Sequence, residues 1–156
     1  MTEERIDLGV VLSLAHVTFL SELARHMEAA GFVGFTTRYG AVLRFLQAAP
    51  VSLRELATQL EMTSPGALKL VSAMTEAGYL ERTPAATDRR VRLVAVSERG
   101  HQALAAARQF HAALEDDLAR TLGADAVKGA RAVLEHLAAR ETGVVPPALR
   151  RAAGGL

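Results

Sequence analysis

Arginine side chains near residue 90 are the groups in this sequence whose chemistry is easiest to assign. Asp88, Arg89 and Arg90 separate two β-prone segments, and Arg82 and Arg92 flank them. Guanidinium groups are weakly hydrated and suit a DNA minor groove, where narrow geometry concentrates negative potential. The pattern therefore predicts a β-hairpin whose tip contacts DNA. The alternative is a solvated turn that begins at Asp88, with the aspartate neutralising one arginine.

A second group of candidate DNA contacts lies on a predicted helix that begins at Ser64 and Pro65. Proline suits the first helical position because it has no amide hydrogen and its φ angle is already helical. Apolar residues at helical spacing predict the buried side of this helix: Ala67, Leu70, Val71 and Met74. The candidate contacts lie on the other side or at its edge: Ser64, Pro65, Gly66, Leu68, Lys69 and Ser72. Arg54 joins them from the exposed side of the preceding helix.

The elements around these side chains follow the order of a winged helix-turn-helix. Ser52 is predicted to cap the first helix, and Glu55 completes a capping box three residues later. Residues 61–63 form the turn, Gly78 ends the second helix, and strands follow at 79–83 and 91–96. An ordinary three-helix core is the alternative, and the hairpin with its arginine tip makes that the weaker interpretation.

Few side chains on the predicted recognition helix can identify a base. A bidentate guanine contact needs Arg or Lys, and Lys69 alone meets that need on this side. Leu68 or Ala73 can at most pack on a thymine methyl. We therefore expect the hairpin, main-chain amides at the helix start and DNA shape to contribute much of the binding.

Three stretches of the sequence resemble the MarR-type family of transcriptional regulators. They are FTTRYGAVLRFL at 35–46, SLRELATQLEMTSPGALKLVSAMTEAGYLER at 52–82 and TDRRVRLVAVSERG at 87–100. The most specific element is the wing signature, which is Asp, any residue, then Arg. The resemblance implies a homodimer built by the N-terminal helix and two C-terminal helices, a winged helix-turn-helix on each subunit, and repression that a ligand relieves.

The resemblance also implies which residues meet DNA: Ser64, Pro65, Gly66, Lys69 and Arg90. Members of the family commonly carry Arg, Ser and Thr where this chain has Ser64, Pro65 and Gly66. This departure again predicts modest base recognition by side chains.

Length and charge fit a single DNA-binding domain. The 156 residues, half of them hydrophobic, are enough to bury one core. The net charge is +1, but residues 38–100 carry nine basic and six acidic side chains, against two and five in residues 1–37. The absence of cysteine excludes disulfides, thiolate sensors and Cys-ligated metals.

The N-terminal sequence predicts a cytoplasmic protein. It begins with acidic and polar residues, unlike a secretory signal. The most apolar run, residues 8–20, is interrupted by Gly9, Ser13, His16 and Thr18. The run is also shorter than the roughly 18 residues that a membrane span needs.

Helices on either side of the winged helix-turn-helix are predicted to form a dimer. The helix over residues 8–30 is apolar on more than one side, so a partner chain is its simplest cover. Another long helix begins at Ser97 and carries a coiled-coil-like seam: Leu104, Ala107, His111, Leu114, Leu118 and Leu122. Gly123 and Asp125 are predicted to end that helix and to cap the last one, at 126–140. The alternative is a monomer in which the N-terminal helix is the central core helix.

The predicted fold is therefore mainly α with a small β-hairpin wing, in one domain. Dimerisation helices occupy 6–34 and 101–140, the DNA-binding lobe 35–100 and a C-terminal tail 141–156. An effector site is predicted between the dimerisation helices and the DNA-binding lobe, for a small aromatic or lipophilic compound: His16, Phe19, Tyr39, Gly40, Leu43 and His111. Gly40 suggests it because a glycine inside a helix usually has a packing or functional reason. The alternative reason is a close helix crossing filled by Phe45 or Phe19.

Metal binding and catalysis find little support in the sequence. His111 with Glu115, and Glu22 with His26, are spaced four apart, as surface charge pairs often are, and no three ligands share a metal-site spacing. No activated nucleophile, phosphate loop or carboxylate pair is recognisable, so we expect no cofactor and no enzyme activity. The sequence predicts a homodimeric repressor that binds a near-palindromic operator in double-stranded DNA and is released by a small ligand. The alternative is an architectural or protein-interaction module without an effector.

Overall fold

The computed structural model describes residues 6–85, 88 and 91–140 of the chain. Its elements are α1 (Leu8–Ala29), α2 (Thr37–Leu46), β1 (Val51–Ser52), α3 (Leu53–Gln59), α4 (Ser64–Glu76), β2 (Leu80–Pro84), β3 (Arg92–Val96), α5 (Glu98–Leu122) and α6 (Ala124–Ala139). The predicted fold class, mainly α with a small β-hairpin, is confirmed.

Hydroxyl side chains begin several helices, as predicted for Ser52 and Ser97. Ser52 Oγ accepts a hydrogen bond from the Glu55 amide at 3.1 Å, and Ser97 Oγ accepts one from the Gly100 amide at 3.0 Å. The predicted start of α4 is wrong by one residue, because Thr63 is the cap and its Oγ1 accepts from the Gly66 amide at 3.3 Å. A threonine hydroxyl caps a helix as a serine hydroxyl does.

The start of α6 also differs from the prediction. This helix begins at Ala124, with Gly123 preceding it at a φ of 93°. Asp125 lies inside the first turn rather than at the cap, where its carboxylate interacts favourably with the positive end of the helix dipole.

The predicted hairpin is part of a three-stranded antiparallel sheet in the order β1-β3-β2. Each hairpin strand starts one residue later than predicted, and Pro84 belongs to β2 instead of ending it. Proline is accommodated there because β2 is an edge strand. The unpredicted strand β1 pairs Val51 with Val94 and so joins the start of α3 to the sheet.

The core lies where the C-terminal end of α1 meets α2, α4, the sheet and the first half of α5. Its largest fully buried side chains are Tyr79, Met27, Leu43, Leu56, Met74, Leu104, Val42, Val71 and Val94. The predicted buried side of α4 is confirmed, with Leu70 partly buried.

The predicted seam of α5 divides into two parts. Leu104 and Ala107 are 1% and 3% exposed, so they belong to the core of their own chain, which corrects their assignment to an intermolecular seam. The physical reason is that α1 and α2 both pack against α5. Leu118 and Leu122, further along the helix, are exposed.

Most of α1 is not covered by the residues that the structure describes. Leu23 and Met27 near its C-terminal end are buried, whereas Leu8, Leu14 and Val17 are 69%, 59% and 65% exposed. The helix is 22 residues long and contains an 18-residue window with a mean hydropathy of 1.3, so by length and composition it could cross a membrane, contrary to the expectation from residues 8–20. Exposed apolar side chains also lie on α6: Val133, Leu134 and Leu137. Exposed apolar surfaces of this kind are typical of interaction sites.

Candidate nucleic-acid interface

The exposed side of α4 carries the predicted base-contacting residues. Five of them are exposed to solvent: Ser64, Pro65, Leu68, Lys69 and Ser72. Gly66 is half-buried, and a Cβ there would lie 3.2 Å from Thr63 Oγ1, so the cap leaves little space for a larger residue. The Gly66 amide donates to that oxygen, and proline has no amide hydrogen. Of the main-chain amides in this first turn, the cap therefore leaves that of Ser64 available. The sequence led us to expect more than one such donor.

A tight turn holds α3 against α4. The amides of Glu61 and Met62 donate to the carbonyls of Thr58 and Ala57 at 3.1 and 2.9 Å, and Glu61 adopts a left-handed φ of 52°. This is the helix ending that glycine usually occupies, because other residues pay a steric cost there. Arg54 lies on the exposed side of α3, before this turn.

The wing places two cations on one face of its sheet. Arg82 pairs with Val94 across the hairpin and Arg92 pairs with Pro84, so the two arginines are diagonal neighbours on the same face. Both are exposed, and so is Asp88. Arg89 and Arg90, the predicted tip contacts, lie outside the described residues.

A cavity of about 200 Å³ lies between α1, α2 and α5, at the predicted effector position. Three of the predicted residues line it: Phe19, Gly40 and His111. His111 stacks on Phe19, with 5.7 Å between ring centroids and 26° between planes.

The other three predicted effector residues lie elsewhere. His16 is exposed on α1, and Leu43 is fully buried in the core. Tyr39 is half-buried and packs edge-on against the rings of Phe35 and Tyr79. Tyr39 and Leu43 are four residues apart and share a side of α2 that adjoins the side of Gly40 and Arg44, whereas His16 belongs to α1.

Gly40 lines the cavity, and the described residues do not show the close helix crossing that was the alternative reason for a glycine here. A Cβ at this position would lie 3.4 Å from Phe35 Cζ, which is an ordinary van der Waals contact. The ring that approaches Gly40 is Phe35, whereas Phe45 or Phe19 was expected.

Comparison with known proteins finds chains of similar sequence and fold. Residues 33–91 match the MarR family model. A solved structure of the transcriptional repressor CouR, bound to a 23-mer DNA duplex, is 26% identical, covers 85% of this chain and 92% of that chain, and has a TM-score of 0.64. This chain is similar to the MarR family over residues 33–91 and to CouR over most of its length.

Other solved structures share the fold of this chain. CouR from Rhodococcus jostii RHA1 bound to p-coumaroyl-CoA is 23% identical over 86% of this chain and 94% of that chain, with a TM-score of 0.56. The reduced form of MarR from E. coli is 22% identical over 86% and 98%, with a TM-score of 0.63. No curated protein matches the sequence.

Arg44 is a functional candidate that was not predicted from the sequence. It is half-buried in the cavity wall, and burial lowers the pKa of its guanidinium group, as does the nearby charge of Arg108. The signal was available, because Arg44 follows Gly40 by four residues and so lies on the same side of α2. Burial also lowers the pKa of His111, the charge of Arg44 lowers it further, and Glu115 opposes both.

Two of the His and Glu residues that are spaced four apart in the sequence have other partners. Glu115 forms an ion pair with Arg131, and His26 Nε2 lies 3.1 Å from the Ala106 carbonyl oxygen. Within residues 6–85, 88 and 91–140, no three His, Asp or Glu side chains come together as metal ligands.

We expect His111 to make the stability of this protein sensitive to acid. The pKa of His111 in the folded protein lies below the ordinary value of 6.5, so as the pH falls His111 takes up a proton in the unfolded chain before it does so in the folded protein. The folded state therefore loses stability as the pH falls below about 6.5. We expect the free energy of unfolding in urea to fall less in His111→Gln than in the unmutated protein between about pH 8 and about pH 5.5. His101→Gln, at an exposed position, is the control and should follow the unmutated protein. An equal loss in His111→Gln would contradict the assignment.

Proposed function

We propose that this protein is a MarR-family regulator, a cytoplasmic, non-catalytic homodimer that represses transcription from a near-palindromic operator. The observation that carries the proposal is the exposed side of α4, with Lys69, beside a wing that presents Arg82 and Arg92 on one face. Residues 35–100 form the DNA-binding lobe in this proposal, residues 6–34 and 101–140 the dimerisation region, and residues 141–156 a tail. The DNA-bound structure of CouR, which is 26% identical to this chain, supports the proposal.

Dimerisation gives the exposed apolar surfaces of α1 and α6 a cover. A second copy related by a two-fold axis buries the same faces on both chains. Two-fold symmetry then places the two α4 helices in successive major grooves, about 34 Å apart.

The two parts of the interface have different tasks. Lys69 is the α4 side chain that can donate to a guanine edge, so it contributes to sequence discrimination. Phosphate and minor-groove contacts that depend little on sequence come from Arg54, Arg82 and Arg92, and from Arg89 and Arg90, which the sequence predicts to be in the wing.

Substitutions at Lys69 and in the wing test this division. Lys69→Ala should reduce discrimination between operator and random DNA by about 1 to 3 kcal/mol for each half-site. Arg82→Ala, and equally Arg90→Ala, should weaken binding to all sequences and reduce the slope of log affinity against log salt by about one unit per lost phosphate contact and subunit. Binding would be measured by fluorescence anisotropy over a salt series.

The matched control is Lys128→Ala, because Lys128 is exposed on α6 and pairs with Asp125. It should change neither discrimination nor slope. Wing variants with unchanged affinity at every salt concentration would argue against the proposed interface.

The cavity between α1, α2 and α5 is the proposed effector site. Its volume of about 200 Å³ suits a compound with one aromatic ring, since a 150 Å³ cavity holds benzene. Phe19, Leu23 and Phe35 supply an apolar lining, whereas Arg44 and His111 supply donors. A small aromatic compound with an anionic group satisfies both, and p-coumaroyl-CoA in the CouR structure supports a ligand that joins an aromatic ring to anionic groups. Ligand binding would change the spacing of the two DNA-binding lobes and release the operator.

Filling the cavity tests the effector proposal. Gly40→Leu should abolish the effect of benzoate on operator affinity while the dimer stays folded and binds DNA. Gly40→Ala is the matched control, because its Cβ reaches Phe35 at van der Waals distance and leaves the cavity open. Benzyl alcohol, the neutral counterpart, should act more weakly than benzoate, because it offers Arg44 no charge. An operator affinity that neither compound changes in the unmutated protein would favour the module without an effector.

A further inference from the structure

Arg99, near the start of α5, touches the C-terminal ends of two helices at once. Its Nη2 donates a hydrogen bond to the Gly31 carbonyl beyond α1 at 2.8 Å, and its Nε donates to the Ala77 carbonyl beyond α4 at 3.2 Å. Its guanidinium carbon lies 5.1 Å from the ring centre of Phe32 and 5.5 Å from that of Tyr79.

The two helix ends that meet at Arg99 have the same local structure. Each ends in a glycine with positive φ, 87° at Gly31 and 81° at Gly78. In each, an aromatic residue follows the glycine, and its amide donates a hydrogen bond to a carbonyl oxygen of the helix. Phe32 donates to Met27 and Tyr79 donates to Met74, both at 2.8 Å. Arg99 therefore contacts a carbonyl and the following ring at both ends, although the carbonyl is that of the glycine itself at α1 (Gly31) and that of the preceding residue at α4 (Ala77).

Physical chemistry favours arginine at this junction. Helix C-termini carry partial negative charge, so one cation stabilises both. The planar guanidinium can donate in two directions while its faces lie against aromatic rings, which a lysine ammonium cannot do. The Phe32 and Tyr79 rings are 6.3 Å apart, and Gly78 leaves room for Arg99, because a Cβ there would lie 3.1 Å from Arg99 Cδ.

We propose that Arg99 is a positioning residue that holds α4 against the end of α1 and thereby sets the distance between the two recognition helices of the dimer. This inference rests on the proposed function, because α1 belongs to the dimerisation region and α4 contacts DNA in that proposal. Arg99 itself acts through α4 rather than by touching a base.

The first test measures spacing preference. Duplexes are selected from a random-sequence library with the unmutated protein, and one base pair is then added or removed between the half-sites. The Arg99→Met variant should bind the selected duplex about ten-fold more weakly than the unmutated protein does, and it should lose much less affinity for the duplexes with altered spacing. The preference for the selected spacing therefore shrinks by nearly the same factor. Arg99→Lys should recover only part of this preference.

The second test needs no DNA. The chain has no cysteine, so Ala73→Cys on the exposed side of α4 gives one spin-label site per subunit. The distance between the labels in the dimer should have a narrow distribution in the unmutated background and a broadened or shifted one with Arg99→Met or Arg99→Lys.

Two controls separate positioning from stability. Arg120→Met removes an exposed arginine of α5 that pairs with Asp117, and Ala105→Gly destabilises the same helix at an exposed position. Both should keep the spacing preference and the label distance. Arg99 variants with a lower Tm but an unchanged preference and distance would overturn the inference and leave the proposed function standing. A protein that selects no duplex would overturn the proposed function, and with it the inference.

Discussion

Leu12→Asp should give monomers that no longer bind operator DNA. Leu12 is 40% exposed on α1, within the apolar surface that lacks cover in the protomer, so the isolated fold tolerates the change. In the proposed dimer the carboxylate would be buried without a partner, at a cost of several kcal/mol that association cannot absorb. Leu118→Asp, on the exposed half of α5, should act in the same way. Light scattering at micromolar concentration, with circular dichroism as the check of folding, would measure the result.

The control for this experiment is Gln102→Asp, an exposed α5 position that is hydrogen-bonded to Glu98. It adds the same charge and should leave the dimer intact. Monomers of the unmutated protein at micromolar concentration would contradict the prediction. An unmutated protein that stays in solution only with detergent would show instead that lipid covers α1, the other environment that its length and hydropathy allow.

Gly100→Ala should destabilise the fold by about 3 kcal/mol, the upper part of the range for overpacked cores. A Cβ at Gly100 would lie 2.3 Å from the Tyr79 carbonyl oxygen and 2.7 Å from Val96 Cγ1. The carbonyl cannot move away cheaply, because it accepts a hydrogen bond from the Ser97 amide at 3.1 Å. The Tm should fall by roughly 6–12 °C for a chain of this size. Urea unfolding followed by circular dichroism measures the change.

Gly129→Ala is the matched control for that substitution. Gly129 lies inside α6, where a Cβ would meet nothing within 4 Å in the protomer. Replacing it should stabilise the helix by about 0.5–1 kcal/mol, because alanine is the better helix former. If Gly100→Ala were as harmless, α5 would not be packed against Tyr79 as the structure has it.

Local chemistry explains which parts of the fold could be predicted from the sequence. Ser52 and Ser97 cap helices through amides three residues away, and Gly78 ends α4 with a positive φ. Such signals act over a few residues, so the sequence contains both partners. The buried side of α4 followed from helical spacing for the same reason.

Strand β1 and the cap of α4 needed longer-range information. Val51 and Ser52 have no strand periodicity and form a strand because β3 is beside them. Thr63 and Ser64 are both able to cap α4, and the turn at Glu61 decided between them by fixing where the helix starts.

The candidate sites divide in the same way. The sequence by itself placed Lys69, Leu68 and Ser72 on the exposed side of α4, because one helix determines that side. The tertiary structure alone decided that Phe19, Gly40 and His111 share a cavity with Arg44, whereas Leu43 is in the core. It alone revealed Arg99, whose acceptors are main-chain carbonyls far along the chain. Every residue has such a carbonyl, so no residue type marks the partner, and only the packing of α1 and α4 brings the two acceptors to one guanidinium group.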